Sequence, residues 1–150
     1  MHQTTQIFYK INQIYCMPST TDNASGTERL TPALIFVYNA DSGLLNMAAD
    51  YVHKIFSPST YGCNLCAVTF GNTGMKGEWR EFVAHLGVPA EFLHRDEFLE
   101  HYNLKDAKFP AAFLKKGDTI TLFIDHNEIN SSKTLKDLMD LVTKKVKGIT

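Results

Sequence analysis

The stretch ALIFVYN, residues 33–39, is a nearly continuous run of apolar residues that favour β-strands. Such a run is typical of a strand that is buried on both faces of a parallel sheet. A polar turn follows, and then apolar residues recur at helical spacing between Leu44 and Phe56. Asp41 or Ser42 could cap this helix, and Pro58 would end it. The segment therefore predicts a strand–helix unit of an α/β domain.

The rest of the chain continues this alternation of strands and helices. The predicted elements are a strand Ala67–Phe70, a glycine-rich loop Gly71–Gly77, a helix that ends at Gly87, a strand Glu91–Arg95, a short helix capped by Asp96, strands Ala111–Leu114 and Thr119–Asp125, and a last helix capped by Ser131 or Ser132. Alternating strands and helices require parallel pairing, whereas the last two strands predict an antiparallel hairpin.

Composition bounds the class of protein. A chain of 150 residues with 44% hydrophobic and 21% charged residues is typical of one globular domain. Residues 18–28 are small and polar, so we expect residues 1–29 to be a flexible segment and residues 30–150 to form the domain. The net charge of −1 gives no support for nucleic acid or a membrane as a partner. No apolar run is long enough for a membrane span.

Three cysteines and the lack of an apolar signal segment at the N-terminus favour a reducing compartment. We therefore expect a cytoplasmic protein, in which thiols stay free, bind a metal or take part in redox chemistry.

The second half of the chain resembles the thioredoxin fold. The resemblance rests on the strand EFLHR (91–95), the helix DEFLEHY (96–102), the segment FPAAFLKKGDTITLFID (109–125) and the helix SKTLKDLMDLV (132–142). It implies a three-layer sheet with parallel strands, a C-terminal antiparallel hairpin and a terminal helix. It also implies that Pro110 occupies the place of the family's cis-proline.

The thioredoxin family carries Cys-x-x-Cys at the start of the helix after the central strand. In this sequence the loop Gly71–Gly77 stands in that place, and Cys63 and Cys66 come before the strand Ala67–Phe70. We therefore expect the cysteines near the opposite end of the sheet, and the family's redox residues do not transfer. The segments SPSTYGCNLCAVTFG (57–71), EWREF (78–82) and EFLHRDEF (91–98) also resemble a bacterial family for which no chemistry is established.

Cys63-Asn-Leu-Cys66 is the sharpest local motif in the sequence. Two sulfurs at this spacing can close a small disulfide ring or bind one metal ion. They can also be two small buried residues with no chemistry. A zinc site would need two further ligands, for which the candidates are Cys16, His53, His94 and His126. All three interpretations remain open on the sequence.

Polar residues at the carboxyl ends of the predicted strands form a second candidate site. Ligands of parallel α/β sheets favour that edge, and a glycine-rich loop at a helix start attracts anions. The candidate ligand-binding residues are Asp41, Ser42, Gly71, Gly74, Lys76 and Arg95. His94 and Asp96 could form an acid–base pair, although Asp96 is also a natural helix cap.

These features give three functional hypotheses. The first is a thiol-based redox-accessory or metal-binding domain, whose cysteine pair, Cys63 and Cys66, either reacts or holds zinc. The second is a protein or enzyme that binds a small anion at the strand carboxyl ends, with Asp41, the Gly71–Gly77 loop and His94. The third is a protein-interaction module without chemistry.

Overall fold

A computed structural model of the protein describes residues 31–42, 63–71 and 73–149. The N-terminal segment 1–29, the predicted helix between Leu44 and Phe56, and the candidate ligands Cys16 and His53 lie outside the described residues. The predictions made for them stay predictions.

The described residues form a mixed α/β structure, which confirms the predicted fold class at that level. The strands are β1 Ala33–Tyr38, β2 Phe70–Gly71, β3 Gly74–Met75, β4 Ala90–His94, β5 Ala111–Lys116 and β6 Thr119–Ile124. The helices are α1 Asn64–Thr69, α2 Gly77–Ala84, α3 Arg95–Tyr102, α4 His126–Ser131 and α5 Leu135–Val146. In this part of the chain, no helix combines the length and the apolar character that crossing a membrane requires.

Four strands form one mixed sheet in the order β4-β1-β5-β6. The central strand β1 runs parallel to β4 and antiparallel to β5, and β6 is antiparallel to β5. Phe36 lies opposite Phe92 of β4 on one side and Ala112 of β5 on the other. Among the described strands, β1 and β4 are the one parallel pair, so the chain between them makes the crossover connection of this sheet.

The two faces of β1 lie in two separate apolar clusters. Leu34, Phe36 and Tyr38 pack with side chains of α1, α2, α4 and α5 on one face of the sheet. Ile35 and Val37 pack on the other face, where Phe98 of α3 is the central aromatic residue. All five side chains from 34 to 38 are fully buried. This burial explains why the strand is a continuous apolar run in the sequence.

The prediction of a strand at Ala67–Phe70 is wrong, because residues 64–69 form the helix α1. A short apolar run that contains β-branched residues does not distinguish a strand from a buried helix. Here Leu65, Cys66 and Val68 are buried in the cluster beneath β1. Cys63 consequently caps a helix, and Cys66 lies within its first turn, whereas the prediction placed both cysteines before a strand.

Two predicted helix caps are also wrong. Helix α3 begins at Arg95 with His94 at its N-cap, so Asp96 lies inside the first turn and does not cap it. Helix α5 is capped by Thr134, whose hydroxyl accepts from the Asp137 N–H, and not by Ser131 or Ser132. Ser131 instead ends a helix, α4, that the sequence pattern did not reveal.

Pro110 directly precedes β5, and the Phe109–Pro110 peptide bond is cis. The resemblance to thioredoxins implies this arrangement at this residue. The remaining strand boundaries differ from the predicted ones by one or two residues.

Candidate functional site

A disulfide bond joins Cys63 and Cys66 at the start of α1. Their Cα atoms lie 5.4 Å apart, within the ordinary range for such a bond. Cys63 is the N-cap residue, and its Sγ accepts a hydrogen bond from the Cys66 N–H at 3.3 Å. One of the unpaired N–H groups of the first helical turn is thereby satisfied by sulfur.

Both cysteines are buried, with 6% of Cys63 and 2% of Cys66 exposed. They belong to the apolar cluster that also holds Leu65 and Trp79. A buried disulfide in apolar surroundings is protected from large reagents, because an attacking thiolate must reach one of the two sulfurs.

Asn64, the first of the two residues between the cysteines, attaches this turn to α4. Its side-chain amide donates to the carbonyl oxygens of Ile129, at 3.0 Å, and of Ser132. Its backbone N–H donates to Asn130 Oδ1 at 3.2 Å. We therefore define the Asn64 clamp as these three hydrogen bonds between Asn64 and residues 129–132.

The sulfurs can carry thiol chemistry in one of two states. As a disulfide they accept two electrons and two protons and become two thiols. In the reduced state the Cys66 N–H would stabilise a Cys63 thiolate, since a hydrogen bond to the charged form favours that form.

Zinc would need both sulfurs as thiolates and two more ligands. The disulfide removes both thiolates. Within residues 31–42, 63–71 and 73–149, no three His, Cys, Asp or Glu side chains are placed to hold a metal ion. His94 and His126 are therefore not assembled with the cysteines into a metal site in this state.

A second polar group lies at the carboxyl ends of β1 and β4. The Arg95 guanidinium donates to both oxygens of Asp41, from Nε at 3.0 Å and from Nη2 at 2.8 Å. Its Nη1 lies 3.5 Å from Asn39 Oδ1. A planar guanidinium matches a carboxylate in this two-point geometry, so the pair joins the end of β1 to the start of α3.

Asp96 makes the second link between the same two segments. It accepts from the Ser42 N–H at 2.9 Å and from the Ser42 hydroxyl at 2.6 Å. Partial burial opposes ionisation of Asp96, but these bonds outweigh it and hold the pKa of its carboxyl below the usual value. The structure thus brings together Asp41, Ser42, Arg95 and Asp96, as the strand-end argument predicts.

His94 does not pair with Asp96 but with Glu97. Glu97 Oε2 accepts from the His94 backbone N–H at 2.8 Å and lies 2.7 Å from His94 Nδ1. The prediction of a His94–Asp96 pair is therefore not what the structure shows. Glu97 was missed, although an acidic residue three positions after a helix N-cap is a visible sign of a capping box.

The His94 imidazole is buried beside Tyr38, with 6.3 Å between the ring centroids. Burial raises the pKa of the Tyr38 hydroxyl well above its ordinary value, and the nearby Thr69 hydroxyl lowers it by less. Tyr38 is consequently neutral at any physiological pH.

The glycine-rich loop takes a form different from the predicted strand-to-helix turn. Gly71 pairs with Gly74 in the two-stranded ladder of β2 and β3, outside the main sheet. Gly74 has a φ of +110°, a conformation that side chains rarely adopt. Lys76 is exposed and forms the N-cap position of α2. The loop follows α1, so it does not occupy the place after the central strand.

The charges at the strand ends are already paired inside the protein. Arg95 is paired with Asp41. The Asp96 carboxylate accepts from the Ser42 hydroxyl, and the Glu97 carboxylate contacts His94. An incoming anion would have to displace the Asp41 carboxylate before it could bind the Arg95 guanidinium. The anion-binding hypothesis stays a prediction, and these contacts do not favour it.

Comparison of the chain with protein-family models, with curated proteins and with solved structures gives no match.

Proposed function

We propose that the protein is a thiol-based redox-accessory domain of thioredoxin-like architecture, and that Cys63 and Cys66 are its reactive pair. The observation that carries the proposal is the disulfide at a helix start, with Cys63 Sγ hydrogen-bonded to the Cys66 N–H. A sulfur in this position gains a donor that stabilises the thiolate, which is the reactive form in exchange.

The arrangement of strands supports the thioredoxin-like part of the proposal. The central strand β1 is parallel to β4 and antiparallel to β5, with β6 at the edge beside β5. Among the described helices, α3 packs on one face, and α1, α2, α4 and α5 pack on the other. Helices on both faces of the sheet support the proposal of the three layers that the resemblance to thioredoxins implies.

The protein departs from that family in one respect. The residues directly after the central strand are Asn39 to Ser42, and the cysteines come later in the chain, at the start of α1. The proposal therefore concerns disulfide exchange by this pair, and not the partners or the docking mode of thioredoxins.

The proposed reaction is reversible thiol–disulfide exchange. An external thiolate attacks one sulfur of the pair, a mixed disulfide forms, and the other cysteine leaves as a thiolate that takes up a proton. A second external thiol then resolves the mixed disulfide, which leaves two thiols in the protein and one external disulfide. Electrons thus pass from two external thiols to the Cys63–Cys66 bond.

Thiol counting in the native protein tests this proposal. We suggest a Cys16→Ser background, in which alkylation and mass measurement report only Cys63 and Cys66. The expected result is no reactive thiol before reduction, two after dithiothreitol, and none again after re-oxidation without loss of fold. The matched Cys63→Ser variant should leave Cys66 free in every condition.

Two outcomes would contradict the proposal. One is a pair that stays reduced under oxidants yet never reacts unless the protein is unfolded, which would make the cysteines ordinary core residues. The other is a purified protein with one zinc per chain and no disulfide, which would favour the metal-binding hypothesis.

A further inference from the structure

Asn64 holds the disulfide turn against α4, because it is the polar residue of the two between the cysteines. Asn64 uses its backbone N–H and its side-chain amide to make the Asn64 clamp. Leu65, the other intervening residue, is fully buried, and its apolar side chain makes no hydrogen bond to α4. The hydrogen bonds described between this turn and the end of α4 therefore all come from Asn64.

Helix α4 is itself firmly fixed at its other end. Asp125 caps it, with its carboxylate accepting from the Glu128 N–H at 2.9 Å, and Glu128 returns a bond to the Asp125 N–H. Glu128 also pairs with Lys145 of α5. The clamp consequently joins the sulfurs to a helix that has little freedom to move away from them.

Resting on the proposed function, we propose that Asn64 is a positioning residue that restricts exchange at Cys63–Cys66 to small thiols. With the clamp closed, the two sulfurs lie below the surface beside α4. A compact thiol needs a small opening to reach Sγ, whereas a cysteine carried on a folded protein needs a wider one, and the clamp opposes that opening by holding α1 against α4. The substrate class is therefore a low-molecular-weight thiol or its disulfide.

The chemistry of the step is unchanged by the clamp. The small thiolate attacks one protein sulfur, the bond between Cys63 and Cys66 breaks, and the released thiolate is protonated by solvent. Asn64 takes no part in the making or breaking of the sulfur–sulfur bonds. It sets how often the sulfurs become accessible, through the free energy needed to break its bonds to residues 129–132.

The test compares reduction rates with two reagents in the Cys16→Ser background. One reagent is dithiothreitol and the other is a reduced protein dithiol of the thioredoxin type. For Asn64→Ala, we expect the ratio of the protein-dithiol rate to the dithiothreitol rate to rise about tenfold, because losing the side-chain bonds makes opening easier.

Asn64→Asp provides a second variant in case alanine impairs folding. It is isosteric and keeps the backbone bond to Asn130, but it has no amide to donate to Ile129 and Ser132. Asn127→Ala on the exposed side of α4 is the control, and its ratio should match that of the unchanged protein.

The two proposals fail differently. If the unchanged protein cycles between disulfide and dithiol but Asn64→Ala and Asn64→Asp leave the rate ratio within twofold, the positioning role of Asn64 is wrong. If the protein dithiol already reduces the unchanged protein as readily as dithiothreitol does, the restriction to small thiols is wrong. If neither reagent gives a reversible cycle, the proposed function itself is wrong.

Discussion

Arg95 and Asp41 form an ion pair that connects the carboxyl ends of the two parallel strands β1 and β4. Their side chains are 35% and 40% exposed, so water screens the ion pair and limits its contribution to stability. Its two-point geometry distinguishes it from a single surface contact.

We expect Arg95→Gln and Asp41→Asn to show a coupling free energy of about 0.5–1 kcal/mol in a double-mutant cycle, decreasing in 1 M salt. Urea unfolding followed by the fluorescence of Trp79, the single tryptophan, measures it. The exposed pair Lys136 and Asp140 on α5 is a suitable comparison, and its coupling should be smaller. A salt-independent coupling would argue against an electrostatic origin.

Ser42 and Asp96 make a pH-dependent contribution at the same place. The pKa of Asp96 is lowered in the folded protein, so its contribution is fully present above the unfolded value of about 4 and is lost as pH falls through the folded pKa. Ser42→Ala removes the hydroxyl donor and should raise the pKa of Asp96 towards its ordinary value.

The expected result for Ser42→Ala is lower stability at pH 7 and a smaller further loss of stability below about pH 4 than in the unchanged protein. Unfolding midpoints across pH 2–7, with a carboxyl NMR titration of Asp96, test this. An unchanged titration of Asp96 would show that Ser42 does not control it.

Among the elements, α5 depends on a cap that the sequence pattern placed at the wrong residue. Thr134 and Asp137 each accept a hydrogen bond from the other's backbone N–H. Thr134→Ala should therefore cost about 1 kcal/mol of unfolding free energy. Ser131→Ala is the control, because Ser131 is exposed and ends α4, and it should change stability by less than about 0.5 kcal/mol. Equal effects of the two variants would contradict the assigned cap.

Element type was predictable where periodicity is decisive. The apolar run of β1 and the helical spacing of Leu138 and Val142 in α5 predict the observed elements. The run AVTF after Cys66 was not decisive, because its burial in α1 depends on contacts with α4, which lies far away in the chain. Helix α4 was missed because its sequence, HNEINS, contains only one apolar residue.

For the polar group at the strand ends, the sequence predicted which residues lie close together but not which side chains pair. The rule that strand carboxyl ends share one edge predicted that Asp41 and Ser42 lie near Arg95 and Asp96, and they do. It did not predict which side chains pair, since pairing depends on the direction of each side chain at the edge. The Asn64 clamp could not be predicted, because its acceptors are backbone carbonyls of a distant helix.

For the whole molecule, the disulfide should matter little to stability. It closes a ring over a sequence separation of only three, and so small a loop removes little freedom from the unfolded chain. We expect reduction in the Cys16→Ser background to lower the free energy of unfolding by at most about 2 kcal/mol. Urea titrations with and without reductant, read by Trp79 fluorescence, measure the difference. A protein that unfolds on reduction alone would show that the bond is a structural staple.

Strand β1 has a bonded neighbour along each edge and a fully buried cluster against each face. Its amide hydrogens have no local route to solvent, so deuterium can enter residues 34–38 only when the entire domain opens. Among the strands that the structure describes, β6 has a bonded neighbour along one edge only, and Leu122 on it is exposed. Deuterium uptake measured peptide by peptide should accordingly be slowest in β1 and faster in β6, and the β1 peptide alone would serve as a gauge of global opening.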